Sequence, residues 1–276
     1  MTTTVWVDGE VGDAASARVH AVDHGVTVGD GVFETCKVVH GRPFALTRHL
    51  RRLETSAGVL GLAVPPGVRD AVEAVLAVTH LPLGRLRITV TGGAGPLGSS
   101  RGAGGARLVV AAAPSEPWPS RIAAITVPWT HNENSAVAGA KTTSYAENVV
   151  ALRAAQRAGA HEALFANTRG ELCEGTGTNV VLVLGDRLVT PPLSSGCLAG
   201  ITRELLLEWS EQAGRPIEQR ALAMEELSRA DGVLLTSSTR DVQTVAEVDG
   251  RVLAETPAGR AAAELFARRA AADIDP

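Results

Sequence analysis

Three prolines fall within the eight residues APSEPWPS at 113–120. Proline has no amide donor and holds φ at about −65°, so neither a helix interior nor a central strand runs through such a segment. The chain is therefore expected to fold on either side of it. Its 276 residues suit one large domain or two modest ones on a prior of roughly 100–200 residues each, and the prolines favour two. The expected division is a smaller N-terminal α+β domain at 1–113, a linker at 114–121 and a larger C-terminal domain at 122–276.

Before the linker, Val5-Trp6-Val7 reads as a strand entering a tight Asp8-Gly9 turn. VFETCKVV at 32–39, His40-Gly41 and RPFAL at 42–46 read as a hairpin. Thr47 suits an N-cap for a helix with Leu50, Leu53, Ala57 and Leu60 on one face. A second helical pattern runs through Val68, Val72, Val75 and Leu76. RLRITVT at 85–91 and RLVVAAA at 107–113 read as strands joined by a glycine-rich loop. Beyond the linker come a strand at RIAAITVPW, an alanine-rich helix to about Gly159, and the strand segments HEALFAN, GELCEG, NVVLVL and RLVTP. A helix over ITRELLLEWSEQAG ends at Gly214. A short helix near 224–230, the strand GVLLTSS and a final alanine-rich helix follow. The mixture is α+β.

Composition narrows the function. A net charge of −4 with no basic cluster argues against nucleic acid as the main partner, and 3% aromatics supply no stacking platform for single strands. No apolar run approaches the ~18 residues of a membrane span. The first twenty residues lack the basic-then-apolar pattern of a secretion signal, and Cys36, Cys173 and Cys197 are too few and too scattered for a disulfide framework. A cytoplasmic protein is expected. Neither HExxH, CxxC nor another metal spacing appears, so no metal site is expected; GxSxG and the P-loop motif are missing too.

Of 26 basic residues only Lys37 and Lys141 are lysines. Arginine does not give up its proton at working pH, whereas lysine does once burial or a nearby cation favours the neutral amine. Lys37 reads as a strand residue. Lys141, among small and apolar residues in SAVAGAKTTSYAEN, suits a Schiff-base amine; the alternative is an aliphatic stem that packs beneath a solvated head. Two segments suit an anion. LSSGCLAGITRELL runs from a loop into a helix whose first turn holds Gly200, Ile201 and Thr202, and TSSTRD puts hydroxyl residues, Ser238 and Thr239 among them, after an apolar strand. Each also reads as plain capping or turn chemistry. Glu174 and Arg52, taken singly, read more simply as surface charges.

Taken in order, HGVTVGDGVFET, HLRRL, GAKTTSYAEN, CEGTGTNVV, LAGITRELL and TSSTRDVQTV resemble the class IV aminotransferases, the pyridoxal 5'-phosphate (PLP) enzymes of fold type IV, over nearly the whole chain. The resemblance implies a two-domain α+β fold, with a small sandwich-like first domain and a second built on a mixed, barrel-like β core. It implies that Lys141 is catalytic and holds PLP as a Schiff base, and that Glu174 faces the pyridine nitrogen. Arg52, Gly200, Ile201, Thr202, Ser238 and Thr239 would hold the phosphate. Tyr145 would approach the phenolic oxygen, although it stands one residue closer to the lysine than in branched-chain aminotransferases. A small-molecule amine substrate and a homodimer are also implied.

Several chemistries share this family. GDGVFET and the loop GGAGPLGSSRG look most like aminodeoxychorismate lyases, which split 4-amino-4-deoxychorismate into 4-aminobenzoate and pyruvate. The rival is a D-amino acid or branched-chain aminotransferase. D-amino acid enzymes of this fold carry an Arg-x-His carboxylate clamp in the corresponding loop, and residues 92–106 contain no histidine. Arg101 of that loop is a candidate for a substrate carboxylate, or simply an exposed arginine. A non-catalytic PLP-binding protein is the third reading.

Overall fold

The computed structural model describes residues 2–276. The chain packs as two compact units. One comprises the chain up to Pro117 with Ala140–Ser144 and Ile274–Pro276; the other comprises Trp118–Gly139 and Tyr145–Asp273.

The first unit contains, in chain order, β1 (Thr4–Val7), β2 (Glu10–Asp13), α1 (His24–Thr27), β3 (Gly31–Val39), β4 (Arg42–Pro43), α2 (Leu46–Val59), α3 (Val68–Ala77), β5 (Leu83–Thr91) and β6 (Arg107–Pro114). Its six strands form one antiparallel sheet in the order β2-β1-β6-β5-β3-β4. Alternation along β3 turns Val32, Glu34, Cys36 and Val38 to one face. The three apolar members join a core with Leu53 and Ala57 of α2 and Val72 and Val75 of α3. Glu34 is the polar exception in that row.

Helix α2 begins at Leu46, one residue before the cap expected at Thr47, because its N-terminus is closed from far away. Ala45 is the N-cap, at φ 54°, and gives no side-chain bond. Instead the Asp275 carboxylate accepts from the Thr47 amide at 2.8 Å and the Thr47 hydroxyl at 2.6 Å. The Ala45 amide donates to the Ile274 carbonyl at 2.7 Å, and Arg48 Nε to the Pro276 carbonyl at 2.8 Å.

The second unit contains β7 (Ile122–His131), α4 (Ala146–Arg157), β8 (Glu162–Asn167), β9 (Leu172–Gly175), β10 (Asn179–Leu184), β11 (Arg187–Thr190), a 3-10 turn at Leu193–Ser195 and α5 (Ile201–Gln212). β12 (Glu218–Gln219), α6 (Met224–Arg229), β13 (Gly232–Ser237), β14 (Asp241–Val248), β15 (Arg251–Val252) and α7 (Pro257–Ala272) complete it. The strand path is β12-β11-β10-β13-β14-β7-β8-β9, with β15 on β14. Parallel β7 and β8 are joined through α4. The two ends of the path approach each other, since Leu172 donates to the Leu222 carbonyl at 2.7 Å and Glu171 bridges Ala223. That near-closure gives the sheet its barrel-like core, filled by Leu164, Leu172, Val180, Leu182, Leu222 and Val233. Strand β14, absent from the sequence reading, follows directly from TSSTR through a left-handed Asp241 at φ 56°.

The sequence reading assigns Lys141 to the second domain, but residues 140–144 pack with the first unit. Val32 bridges Thr142, the Phe33 amide donates to the Lys141 carbonyl at 2.9 Å, and the Thr143 amide donates to the Gly31 carbonyl at 2.8 Å. A short extended segment finds partners at the end of β3, which sequence proximity does not reveal.

Candidate active site

The motif GDG at 29–31 explains how Lys141 is held. A Cβ at Gly31 would lie 2.8 Å from the Val90 carbonyl oxygen and 3.0 Å from Thr143 Oγ1, so only glycine lets KTTS run this close. Thr143 and Ser144 donate their hydroxyls to the Gly29 carbonyl at 2.9 and 3.0 Å. The Lys141 amide donates to Ser56 Oγ at 3.1 Å. With the backbone fixed on both sides, the side chain is half-buried and its Nζ stands 4.4 Å from the centroid of the Phe33 ring.

In the same unit Arg52 is no solvated surface charge. Its side chain is only 10% exposed and meets Glu34 in a fork: Nε to Oε1 and Nη2 to Oε2, each at 2.7 Å. His49 Nδ1 lies 2.6 Å from the same Oε2. Burial alone would raise the Glu34 pKa, but the Arg52 charge and hydrogen bonds, with His49 assisting, bring it down to about 2. Burial lowers the His49 pKa despite its bond to Glu34. The imidazole is thus neutral, and its Nδ1–H donates to a permanent carboxylate. Glu34 and His49 were missed in the sequence. The signal was there: a glutamate in phase with Val32, Cys36 and Val38, and a histidine three residues before an arginine on the helix face that packs over them.

Arg101 is also committed. Its Nε and Nη2 donate to the Asp30 oxygens at 2.7 Å, and Nη2 and Nη1 donate to the carbonyls of Leu60 and Gly61 at 2.7 and 2.9 Å. It pins the loop at 92–106 to the GDG turn and to the end of α2. His24 Nε2, 3.1 Å from the Pro96 carbonyl, holds the same loop from beneath.

In the second unit, Glu174 closes β9 with its side chain 12% exposed. Oε2 accepts from the Leu198 amide at 2.9 Å and from Asn179 Nδ2 at 3.3 Å. Oε1 faces His131, whose Nε2 is 4.0 Å away. Asn179 also donates to the Leu198 carbonyl at 2.8 Å, tying the loop before α5 to β10. Gly200 is the N-cap of α5 and offers no side-chain cap, which leaves the first-turn amides of Ile201 and Thr202 without a capping side chain. Thr202 is buried, Ser238 and Thr239 are half-buried at the end of β13, and Asn179 pairs with Thr236 of that strand. Both anion-friendly turns therefore lie at the same end of the sheet. Arg203, 4% exposed, donates to the Pro191 carbonyl and to Gln219 at 2.8 and 2.9 Å, and buries a positive charge just behind the first turn. Tyr145 is the N-cap residue of α4 and its carbonyl accepts from the Val149 amide.

Lys141 and Arg52 thus belong to one unit, and Glu174, Gly200, Ile201, Thr202, Ser238 and Thr239 to the other. Among the described residues no cluster of His, Cys, Asp and Glu suits a metal ion, and no helix is long and apolar enough to cross a membrane.

Residues 31–248 match the family model for amino-transferase class IV. The chain belongs to the class IV aminotransferases. A bifunctional aminodeoxychorismate lyase / D-amino acid transaminase of Mycobacterium tuberculosis is 33% identical, covering 95% of this chain and 96% of its own. A putative branched-chain-amino-acid aminotransferase of Methanocaldococcus jannaschii is 32% identical, with 90% and 89% covered. A solved structure described as a hypothetical aminotransferase from Mycobacterium tuberculosis in PLP-bound form superposes with TM-score 0.86 at 32% identity, covering 99% and 100%. The architecture is that of fold-type-IV transaminases, and the enzyme is PLP-dependent. Each unit by itself holds groups of the kind that cofactor needs: in the first an amine on a fixed backbone, in the second a carboxylate oriented by an amide and a helix start without a side-chain cap, near hydroxyls.

Proposed function

We propose that this enzyme is an aminodeoxychorismate lyase, releasing pyruvate from 4-amino-4-deoxychorismate to leave 4-aminobenzoate. Bound PLP supplies an electron sink for the carbon next to the substrate's amine. Lys141 would hold the cofactor through its Nζ, and the same amine, when free, would take the proton from that carbon and give it to the departing enolpyruvate. Glu174 would face the ring nitrogen and hold a proton there, its carboxylate oriented by the Leu198 amide and Asn179. The α5 start at Gly200, Ile201 and Thr202, with Ser238 and Thr239, binds the phosphate, and Arg52 adds charge whose orientation Glu34 sets.

The observation that carries the lyase over a transaminase is Arg101. It is the one arginine in the loop at 92–106, and four of its five N–H donors are used by Asp30, Leu60 and Gly61. The loop therefore presents no Arg-x-His clamp for an α-amino acid carboxylate, and a lyase needs no second amino acceptor. A side activity as a D-amino acid transaminase is the second reading, favoured by the 33% identical relative that bears both names. The same reading takes the enzyme to be a cytoplasmic homodimer, which sedimentation and cell fractionation would check.

The deciding assay follows 4-aminobenzoate and pyruvate with no keto acid present. Release of both in equal amounts is expected. Turnover that begins only when a keto acid is added would overturn the lyase assignment. Borohydride reduction should fix PLP on Lys141, read as a mass increase on its peptide.

A further inference from the structure

Arg240 stands one residue beyond the Ser238–Thr239 turn, and only 6% of its side chain is exposed. Its Cζ lies 3.8 Å from the centroid of the Trp118 ring, and Nη2 is 3.2 Å from Oε2 of Glu162, itself 1% exposed at the start of β8. Nη2 also donates to the His161 carbonyl at 3.3 Å. The other Glu162 oxygen, Oε1, accepts from the Thr176 amide at 3.0 Å, from the Thr176 hydroxyl and from the Ala163 amide at 3.2 Å. Asn148 of α4 holds the opposite side of this turn, donating to the Thr176 carbonyl at 2.9 Å. A Cβ at Gly175 would lie 3.2 Å from both Cγ and Cδ of Glu162, so the turn rests directly on the carboxylate.

Burying two ions is expensive, and an apolar pair of the same volume is often no less stable. An ion pair in this place is thus poorly explained by stability and better explained by placement. The segments it joins are telling. Glu174 lies two residues before Thr176, and Ser238 and Thr239 directly precede Arg240. We propose that Arg240 and Glu162 are positioning residues, holding the ring-nitrogen carboxylate and the phosphate hydroxyls in register with each other. This rests on the PLP roles given above. Both act at one remove from the cofactor in this proposal: Arg240 through Glu162, and Glu162 through the Thr176 turn.

The test compares the parent with Glu162→Gln and Thr176→Val, the second of which keeps the side-chain shape and removes only the hydroxyl. PLP affinity, the pH midpoint of the visible band of bound PLP, and the melting temperature of the cofactor-free protein are measured. Glu162→Gln is expected to weaken PLP binding at least about tenfold, the size of a lost buried charged hydrogen bond, and to move the pH midpoint. Thr176→Val should shift both in the same direction by less, in a protein that still unfolds cooperatively. If Glu162→Gln does not fold, Thr176→Val decides alone. Folded variants that match the parent in affinity and midpoint overturn this inference while leaving the PLP site intact. A parent protein that takes up no PLP would sink the underlying reading and this one with it.

Discussion

Replacing Glu34 with glutamine would remove the buried charge that faces Arg52 and His49 while keeping nearly the same volume. In the parent, the ordinary glutamate pKa of 4.5 falls to about 2, because the Arg52 and His49 interactions outweigh the burial that would raise it. At 1.36 kcal/mol per pKa unit, that difference amounts to about 3 kcal/mol held by the ionised form. Glutamine also turns an amide donor toward Arg52, leaving a guanidinium that is 10% exposed without its counter-charge. Breaking a buried pair from one side costs about 3–5 kcal/mol, so the two routes agree. Thermal unfolding at pH 7 should show the first unit melting about 10 °C lower, at roughly 3 °C per kcal/mol. The sign with pH follows from a depressed carboxyl: the stabilisation is complete above about 4.5 and fades as pH falls toward about 2. His49, whose pKa is also lowered, adds a loss in the same direction that begins as pH drops below its ordinary 6.5. The gap between parent and variant should therefore close near pH 2. A gap under about 1 kcal/mol at pH 7, or one that persists undiminished at pH 2, would show that Glu34 contributes by packing alone.

Glu174→Gln should leave PLP bound and slow turnover by at least about a hundredfold, the scale of a lost general acid–base contribution; a rate near the parent's would remove Glu174 from its role. Gly200→Ala should weaken PLP binding, since its Cβ would collide with the Asn179 side-chain oxygen and displace the amide that supports Glu174 and Leu198; unchanged affinity would mean the α5 start is not the phosphate seat. Arg101→Met should speed amide hydrogen exchange across residues 92–106, and unaltered exchange would mean that the loop's other bonds, such as His24 to Pro96 and Gly95 to Val22, secure it without Arg101.

How much of this was readable beforehand differs by scale. Periodicity located β3, β5, β6, α2, α5 and α7, because each has a continuous apolar stripe that packs locally. It missed β14, which starts in a left-handed turn and carries polar residues outward, and it placed the helix cap at Thr47 when the capping carboxylate comes from Asp275. The chain-wide motifs led to the family, whereas Lys141, Glu174 and Arg52 were individually ambiguous. The supporting groups were not seen at all. Glu34, His49, Glu162 and Arg240 act only once strands distant in sequence lie side by side, and a lone charged letter in an apolar run does not announce its partner. The deviation itself was visible, since Glu34 breaks the alternating row of β3.

The bonds from Asp275 and Pro276 to the start of α2 span 228 positions, and this sets an order of events during synthesis. The helix carrying His49 and Arg52 is synthesised early, yet its leading turn is not closed until Asp275 and Pro276 have followed it out of the ribosome. A change at Asp275 therefore reaches a turn made 228 residues earlier.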